Sequence, residues 1–209
     1  MDRVTSADSS TRRRRRVTPR KGDLREQAIL DAAEAQLETE TLEGMTVESI
    51  ARGAGITRNA LYFYFASKQD VLTALVRRTV GELAEDAEST AAGTTSDPRE
   101  SILRAMRGVE GSWRRHGRVM RAAVELGAVI PDIGVMWNDT VDRYIAVMSD
   151  VLRRAGLPDD GPSSAHEVAS ALCWMTERNF YRASVQSDTE ASLSHVSDVC
   201  SGIWLAMLP

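Results

Sequence analysis

Residues 46–70, TVESIARGAGITRNALYFYFASKQD, constrain this chain more than any other stretch. They fit two short helices joined by a tight turn and running into a third. Thr46 suits an N-cap, because its hydroxyl can accept a hydrogen bond from a free backbone N–H of the helix that follows. Gly53 and Gly55 suit the helix end, since glycine enters the left-handed conformation without a steric penalty. Ile56 can plug the corner, and Thr57 can cap Arg58-Asn59-Ala60-Leu61-Tyr62. A capped helix, a glycine turn and a second short helix with exposed polar residues make a helix-turn-helix, whose second helix fits the DNA major groove. Ser67 caps a further helix with Lys68 in its first turn.

The rest of the chain carries helical periodicity and no useful strand pattern, so an all-α fold of about nine helices is expected. Residues 23–40 form the first helix, with Asp23 as N-cap, Glu26 completing a capping box, and Ile29, Ala32, Ala33, Gln36 and Leu37 inward. Leu42 and Met45 close a small core with Val47, Ile50, Ile56, Leu61 and Phe65. The helix capped by Ser67 reaches about Glu88, and STAAGTTS (89–96) breaks it. Asp97-Pro98 opens the next helix, which His116-Gly117 ends. A short helix over 118–126 follows, then a long one from Pro131, a loop at 157–164, and two final helices over 164–186 and 189–207. Residues 1–22 form an N-terminal arm, 23–70 a DNA-binding head and 71–209 a helical body.

Charge is unevenly placed. Of 26 Lys/Arg and 30 Asp/Glu, 12 and 11 fall in residues 1–70, leaving 14 and 19 beyond. A net charge of −4 rules out a uniformly basic DNA coat, but Arg12, Arg13, Arg14, Arg15 and Arg16 concentrate positive charge just ahead of the head. Two readings stand: a solvated tail, or an arm lying on phosphates or in a minor groove. Cys173 and Cys200 fall on apolar helical patterns, as free thiols in a reducing cytoplasm do, with a disulfide as the alternative. No run approaches the ~20 apolar residues of a membrane span. No nucleophile–base set, phosphate loop or metal-ligand spacing occurs, so neither an enzyme nor a cofactor or metal site is expected.

The order T-V-x-x-I-A-x-x-A-G-I-T-x-x-x-L-Y-x-Y-F-x-S-K-x-x-L resembles the DNA-binding half of TetR-type transcriptional repressors, most densely from residue 25 to 75. A fainter likeness at Ala171-Leu172, Met175, Glu177-Arg178 and Ile203-Trp204 is to the ethionamide-regulator (EthR) branch. The resemblance implies that Tyr62, Tyr64 and Lys68 touch the DNA backbone and that Thr57, Arg58 and Asn59 lie in the groove. Arg58 can pair with guanine and Asn59 with adenine, and which of them reads a base stays open. Thr46 and Lys68, each at a helix N-terminus, can hold a phosphate. The expected DNA-facing set is thus Thr46, Val47, Thr57, Arg58, Asn59, Leu61, Tyr62, Tyr64 and Lys68, with the arginines of the arm. Val47 and Leu61 are also assigned to the core, and covering the core is the other reading of the two tyrosines.

In the body, Met106, Met136, Trp174 and Met175 join Trp113, Trp137, Tyr144, Met148, Phe180 and Trp204 as bulky inward candidates. An ordinary helical core is one reading. Lining a hydrophobic cavity is the second, with Met106, Met148 and Phe180 among its walls, and the resemblance implies a pocket for a small hydrophobic effector surrounded by Trp113, Trp137, Tyr144, Cys173, Thr176 and Trp204. The relative has asparagines where this chain has Cys173 and Thr176. Glu177-Arg178 is read as a structural ion pair. Val168, Leu172, Met175, Val196, Val199, Cys200 and Ile203 exceed one inward stripe. With the resemblance they imply a homodimer through the last two helices, whose paired heads meet successive major grooves about 34–36 Å apart. The expected function is a cytoplasmic repressor released from double-stranded operator DNA by its effector. The alternative is an activator or architectural DNA binder without a ligand, which a tightly packed body would favour.

Overall fold

The structure, a computed structural model, describes residues 21–92, 97–186 and 189–209. The arm with Arg12, Arg13, Arg14, Arg15 and Arg16 lies outside the described residues. The described chain is all helical: α1 Lys21–Leu37, α2 Val47–Gly53, α3 Arg58–Leu61, α4 Lys68–Ala92, α5 Pro98–Gly127, α6 Pro131–Arg154, α7 Ala165–Ser184 and α8 Thr189–Ala206. None of these helices is long and apolar enough to cross a membrane.

The count is eight because the expected break at His116-Gly117 does not occur. α5 runs through it as one rod of 30 residues. A glycine inside a helix costs only about 1 kcal/mol against alanine. Continuing the helix buries Val119, Met120, Ala122 and Ala123, which outweighs that local loss. α1 begins at Lys21, so Asp23 sits in its first turn instead of capping it. Its buried stripe is Ile29, Leu30, Ala33 and Leu37. Gln36 is a partner at the rim instead, accepting a hydrogen bond from Ser49 Oγ at 2.8 Å. α4 reaches one turn beyond Glu88, to Ala92, leaving 93–96 of the expected breaker outside the described residues.

The corner between α2 and α3 is fixed by local bonding. Thr46 and Ser49 close a reciprocal capping box, each side chain accepting the other's backbone N–H at 3.0 Å. At the far end Gly55 adopts φ +66°. The Ile56 N–H then reaches Ala51 O at 2.9 Å, and the Gly55 N–H reaches Arg52 O at 3.1 Å. This is the Schellman arrangement, which a residue with a Cβ reaches only with strain. Thr57 accepts from the Ala60 N–H at 3.2 Å and starts α3.

α1 packs on α2 and α4, and α2 on α3; α4 to α8 form the body. One core cluster runs from Ile29, Ile50 and Leu61 through Val71 and Leu75 of α4 to Trp113, Trp137 and Phe180. A second joins Ile102, Met106, Ile145, Leu152, Leu172 and Trp204. Because the first cluster passes through α4, head and body share packed atoms across residue 70.

The α5–α6 hairpin requires glycine. A Cβ on Gly134 would stand 2.6 Å from Gly127 O, a backbone atom that cannot swing aside, whereas a Cβ on Gly81 meets nothing within 4 Å. Gly134→Ala is expected to destabilise by about 1–3 kcal/mol, and Gly81→Ala to stabilise by roughly 0.5–1 kcal/mol. Urea denaturation of both variants checks this. Equal midpoints would show that the hairpin has room to part.

Candidate functional site

Two places concentrate exposed or unsatisfied chemistry: the outer surface of α3 with the turn after it, and a cavity inside the body.

Thr57, Arg58 and Asn59 are exposed on α3. Arg58 Nη2 donates to the Tyr62 hydroxyl at 3.2 Å, with its guanidinium carbon 5.6 Å from the ring centroid. This exposed i,i+4 contact holds the side chain along the helix without burying it. Tyr62 and Tyr64 are 42% and 40% exposed and flank Phe63 at 88%. Phe63 was not singled out from the sequence. The signal was there, because Leu61 and Phe65 facing inward leave 62–64 outside. Thr46 is exposed beside this surface, and Val47 is half-buried against the core.

Two expected DNA-facing residues are placed otherwise. Leu61 is fully buried, so it supports α3 from within and cannot reach a duplex. The Lys68 ammonium turns inward and donates to Leu42 O at 2.8 Å and Met45 O at 3.0 Å. It ties the loop before α2 to the start of α4, instead of standing free for a phosphate. Ser67 caps α4 by accepting from the Asp70 N–H at 3.1 Å.

The body contains a cavity of about 70 Å3, walled by α4 to α8. Met106, Trp113, Trp137, Tyr144, Met148, Cys173, Thr176 and Trp204 line it. Its apolar and aromatic walls with few polar groups match the lining of small-molecule sites. Trp113 and Trp137 meet edge to face, centroids 6.5 Å apart. Phe180 is not in the wall. Fully buried, it stacks behind Trp113 at 6.3 Å and 14°. Leu83, Met120, Thr140, Val141 and Glu177 also face the cavity and were missed as lining residues. Val141 was discoverable at i+4 from Trp137. Leu83 was not, because only the tertiary path of α4 brings it there. Trp174 also departs from the inward set, at the surface of α7.

Polar groups in the cavity differ in their freedom. The Trp204 indole N–H donates to Thr176 Oγ1 at 3.0 Å, inside the core. The Tyr144 hydroxyl donates to Leu83 O of α4 at 3.2 Å, and burial pushes its pKa up to about 12. Burial likewise pushes the Cys173 thiol up to about 12, so it stays protonated and unreactive at neutral pH. Cys173 and Cys200 are both free and buried. The Glu177 carboxyl is raised above the ordinary carboxylate range by burial, against smaller opposing effects of Arg178 and the nearby Trp137 indole. Its cost to the fold therefore grows as pH rises past that ordinary range. The expected Glu177–Arg178 pair is loose. Arg178 Nε stands 3.7 Å from Oε2, and neither carboxylate oxygen nor Trp137 Nε1 has an aligned hydrogen-bond partner.

Ionic contacts join α4, α5 and the head. Arg78 of α4 grips Asp31 at 2.6 Å and Glu34 at 2.5 Å on α1. His116 lies between Glu34 at 3.5 Å and Glu82 at 3.2 Å, one turn along α5 from Trp113. On the outer faces of α7 and α8, Val199 and Ile203 are exposed with Trp174 and Met207, while Val168, Met175 and Val196 are half-buried. Leu172 and Cys200 are buried within the chain, so they already have core partners and offer no free surface.

Comparison with known proteins matches residues 29–75 to the TetR family of bacterial regulatory proteins. Residues 102–208 match the C-terminal domain of the transcriptional regulator EthR. The chain is 30% identical over 213 residues to the HTH-type transcriptional regulator EthR of Mycobacterium tuberculosis H37Rv, covering 100% of this chain and 98% of that protein. It is 29% identical over 206 residues to EthR of Mycolicibacterium smegmatis, covering 97% and 94%. Among solved structures, a TetR transcription regulator from Haloarcula marismortui superposes with a TM-score of 0.73 at 14% identity, over 88% of this chain and 98% of that one. FadR from Bacillus subtilis, in complex with stearoyl-CoA, does so with 0.67 at 17%, over 88% and 99%. With an exposed helix-turn-helix surface at one end and an EthR-type body at the other, the chain belongs to the TetR family of DNA-binding transcriptional regulators, in its EthR-like branch.

Proposed function

We propose that this regulator is a repressor, released from operator DNA when a small lipophilic molecule fills the cavity of its body. The cavity carries the reading. A chamber of about 70 Å3 walled by tryptophans, methionines and Tyr144 is several times the space one water needs, whereas interiors rarely leave voids larger than a water molecule. A ligand-free architectural protein has no use for it. The long acyl group in the FadR complex supports a lipophile as occupant.

Residues 23–70 act as the DNA head and 71–209 as the effector and dimer body, with 1–22 as a basic arm on the duplex. Thr57, Arg58 and Asn59 enter the major groove. Tyr62, Tyr64 and the exposed end of α2 at Thr46 and Val47 rest on the backbone. Two chains pair through α7 and α8, burying Trp174, Val199, Ile203 and Met207. The effector acts on α4, which contributes Leu83 to the cavity wall, accepts from Tyr144 there, and holds α1 through Arg78. A ligand that moves the Leu83 segment moves the head with it. Release requires that the ligand bind unequally to the two head spacings.

The test titrates fatty acids, fatty esters, N-alkyl amides and acyl-CoAs against the full-length protein. Thermal denaturation and polarisation of a labelled duplex selected by the protein are read in parallel. An effector is expected to raise Tm and to weaken duplex binding at least tenfold, about 1.4 kcal/mol of coupling. Stabilisation without loss of DNA binding overturns the release mechanism, and no stabilisation by any member overturns the effector itself.

A further inference from the structure

We infer that the cavity selects a lipophile carrying an N–H donor beside a carbonyl, a secondary amide, and that Glu177 is the residue that accepts the N–H. This rests on the effector reading above and specifies which occupants fit.

The argument follows from which polar groups in the chamber are already used. Thr176 Oγ1 accepts from the Trp204 indole at 3.0 Å, and its hydroxyl meets the Cys200 thiol. Tyr144 spends its hydroxyl proton on Leu83 O. The Cys173 thiol is a weak donor and a weak acceptor. Among the described polar atoms of the chamber, those with no aligned hydrogen-bond partner are both oxygens of the Glu177 carboxylate, on a side chain 7% exposed, and Trp137 Nε1, whose indole lies close enough to favour the charged carboxylate. Both residues line the cavity. An ionised carboxylate accepts only, and an indole N–H donates only. A ligand that satisfies both presents a donor and an acceptor side by side on an apolar body, and a secondary amide on an alkyl chain does so. An ester or a hydrocarbon leaves the carboxylate buried and unpaired, which is costly. Arg178 does not remove that cost, because its guanidinium is outside hydrogen-bond distance and mostly exposed.

The test compares N-decylacetamide with decyl acetate, which differ only in N–H against O. Affinities of both for the full-length protein, for Glu177→Leu and for the volume-matched Glu177→Met are measured by calorimetry. The ratio of the two affinities cancels the probes' different solubility in water. The preference for the amide is expected to fall roughly ten- to hundredfold in either variant, the scale of a hydrogen bond to a charged group. Ligand-free Glu177→Leu is also expected to melt above the parent, since an unpaired carboxylate is replaced by apolar atoms. A ratio unchanged by substitution, with decyl acetate still binding saturably, overturns the anchor and leaves the pocket intact. A lowered Tm in both variants makes Glu177 a structural ion-pair partner and overturns the proposal. Binding of neither probe by any of the three proteins overturns both the pocket and its anchor.

Discussion

Arg58→Ala is expected to weaken binding to a selected operator duplex by about 10- to 100-fold per head, the range of a lost bidentate contact to a base edge, and to relax preference at one base pair per half-site. In a dimer the two losses multiply. Arg58 sits on the exposed side of α3, where the Tyr62 hydroxyl accepts from it. That exposed contact is weak and gives way readily to a guanine edge. A phosphate-only role has a different signature: the same modest loss on every sequence, with a shallower salt slope. Polarisation assays on matched and single-substituted duplexes, each at several salt concentrations, separate the two. Undiminished affinity for every duplex would remove Arg58 from the interface. The fold has no reason to suffer, since no core contact involves the side chain, and an unchanged Tm is the control.

The largest stability effect is expected at Phe180→Ala. The ring is fully buried in the cluster that joins head to body and stacks 6.3 Å from Trp113, which is itself cavity wall. Truncation of a buried Phe costs about 3–5 kcal/mol, and for a chain of this length that lowers Tm by roughly 6–20 °C. The void would form behind Trp113 and let it retreat from the chamber. Effector affinity is therefore expected to change along with stability, although Phe180 touches no part of the cavity. A loss below about 1 kcal/mol in reversible urea unfolding would mean that the neighbours collapse into the gap. The wall would then be soft, not braced.

How far the chain could be read in advance depended on how local the determining interactions are. The α2–α3 corner was legible because Thr46, Gly55 and Thr57 act within four residues of themselves. The cavity wall was legible as a set of bulky inward residues at helical spacing. Spacing gives direction, however, and not what stands opposite. Trp113 and Phe180 both point inward, yet one meets a void and the other the first one's back. The continuity of α5 was hidden for the opposite reason. His116-Gly117 is a sound local stop signal, overridden by apolar surface from other helices. Lys68 went astray because the carbonyls that hold it belong to Leu42 and Met45, more than 20 residues earlier. Glu177 beside Arg178 suggested a closed pair, but adjacent positions on a helix diverge by about 100°, and one side chain went to the chamber while the other went to water.

The unbroken course of α5 has a mechanical consequence. At about 1.5 Å per residue, its 30 residues make a strut of roughly 45 Å, with Trp113 and His116 near its middle. A swivel at Gly117 would have let the two halves flex apart and damped any push near Trp113 before it reached the half over residues 118–127. Without that joint the strut answers pressure as a single stiff beam, and a displacement too small to see at the chamber grows in proportion to distance toward either tip.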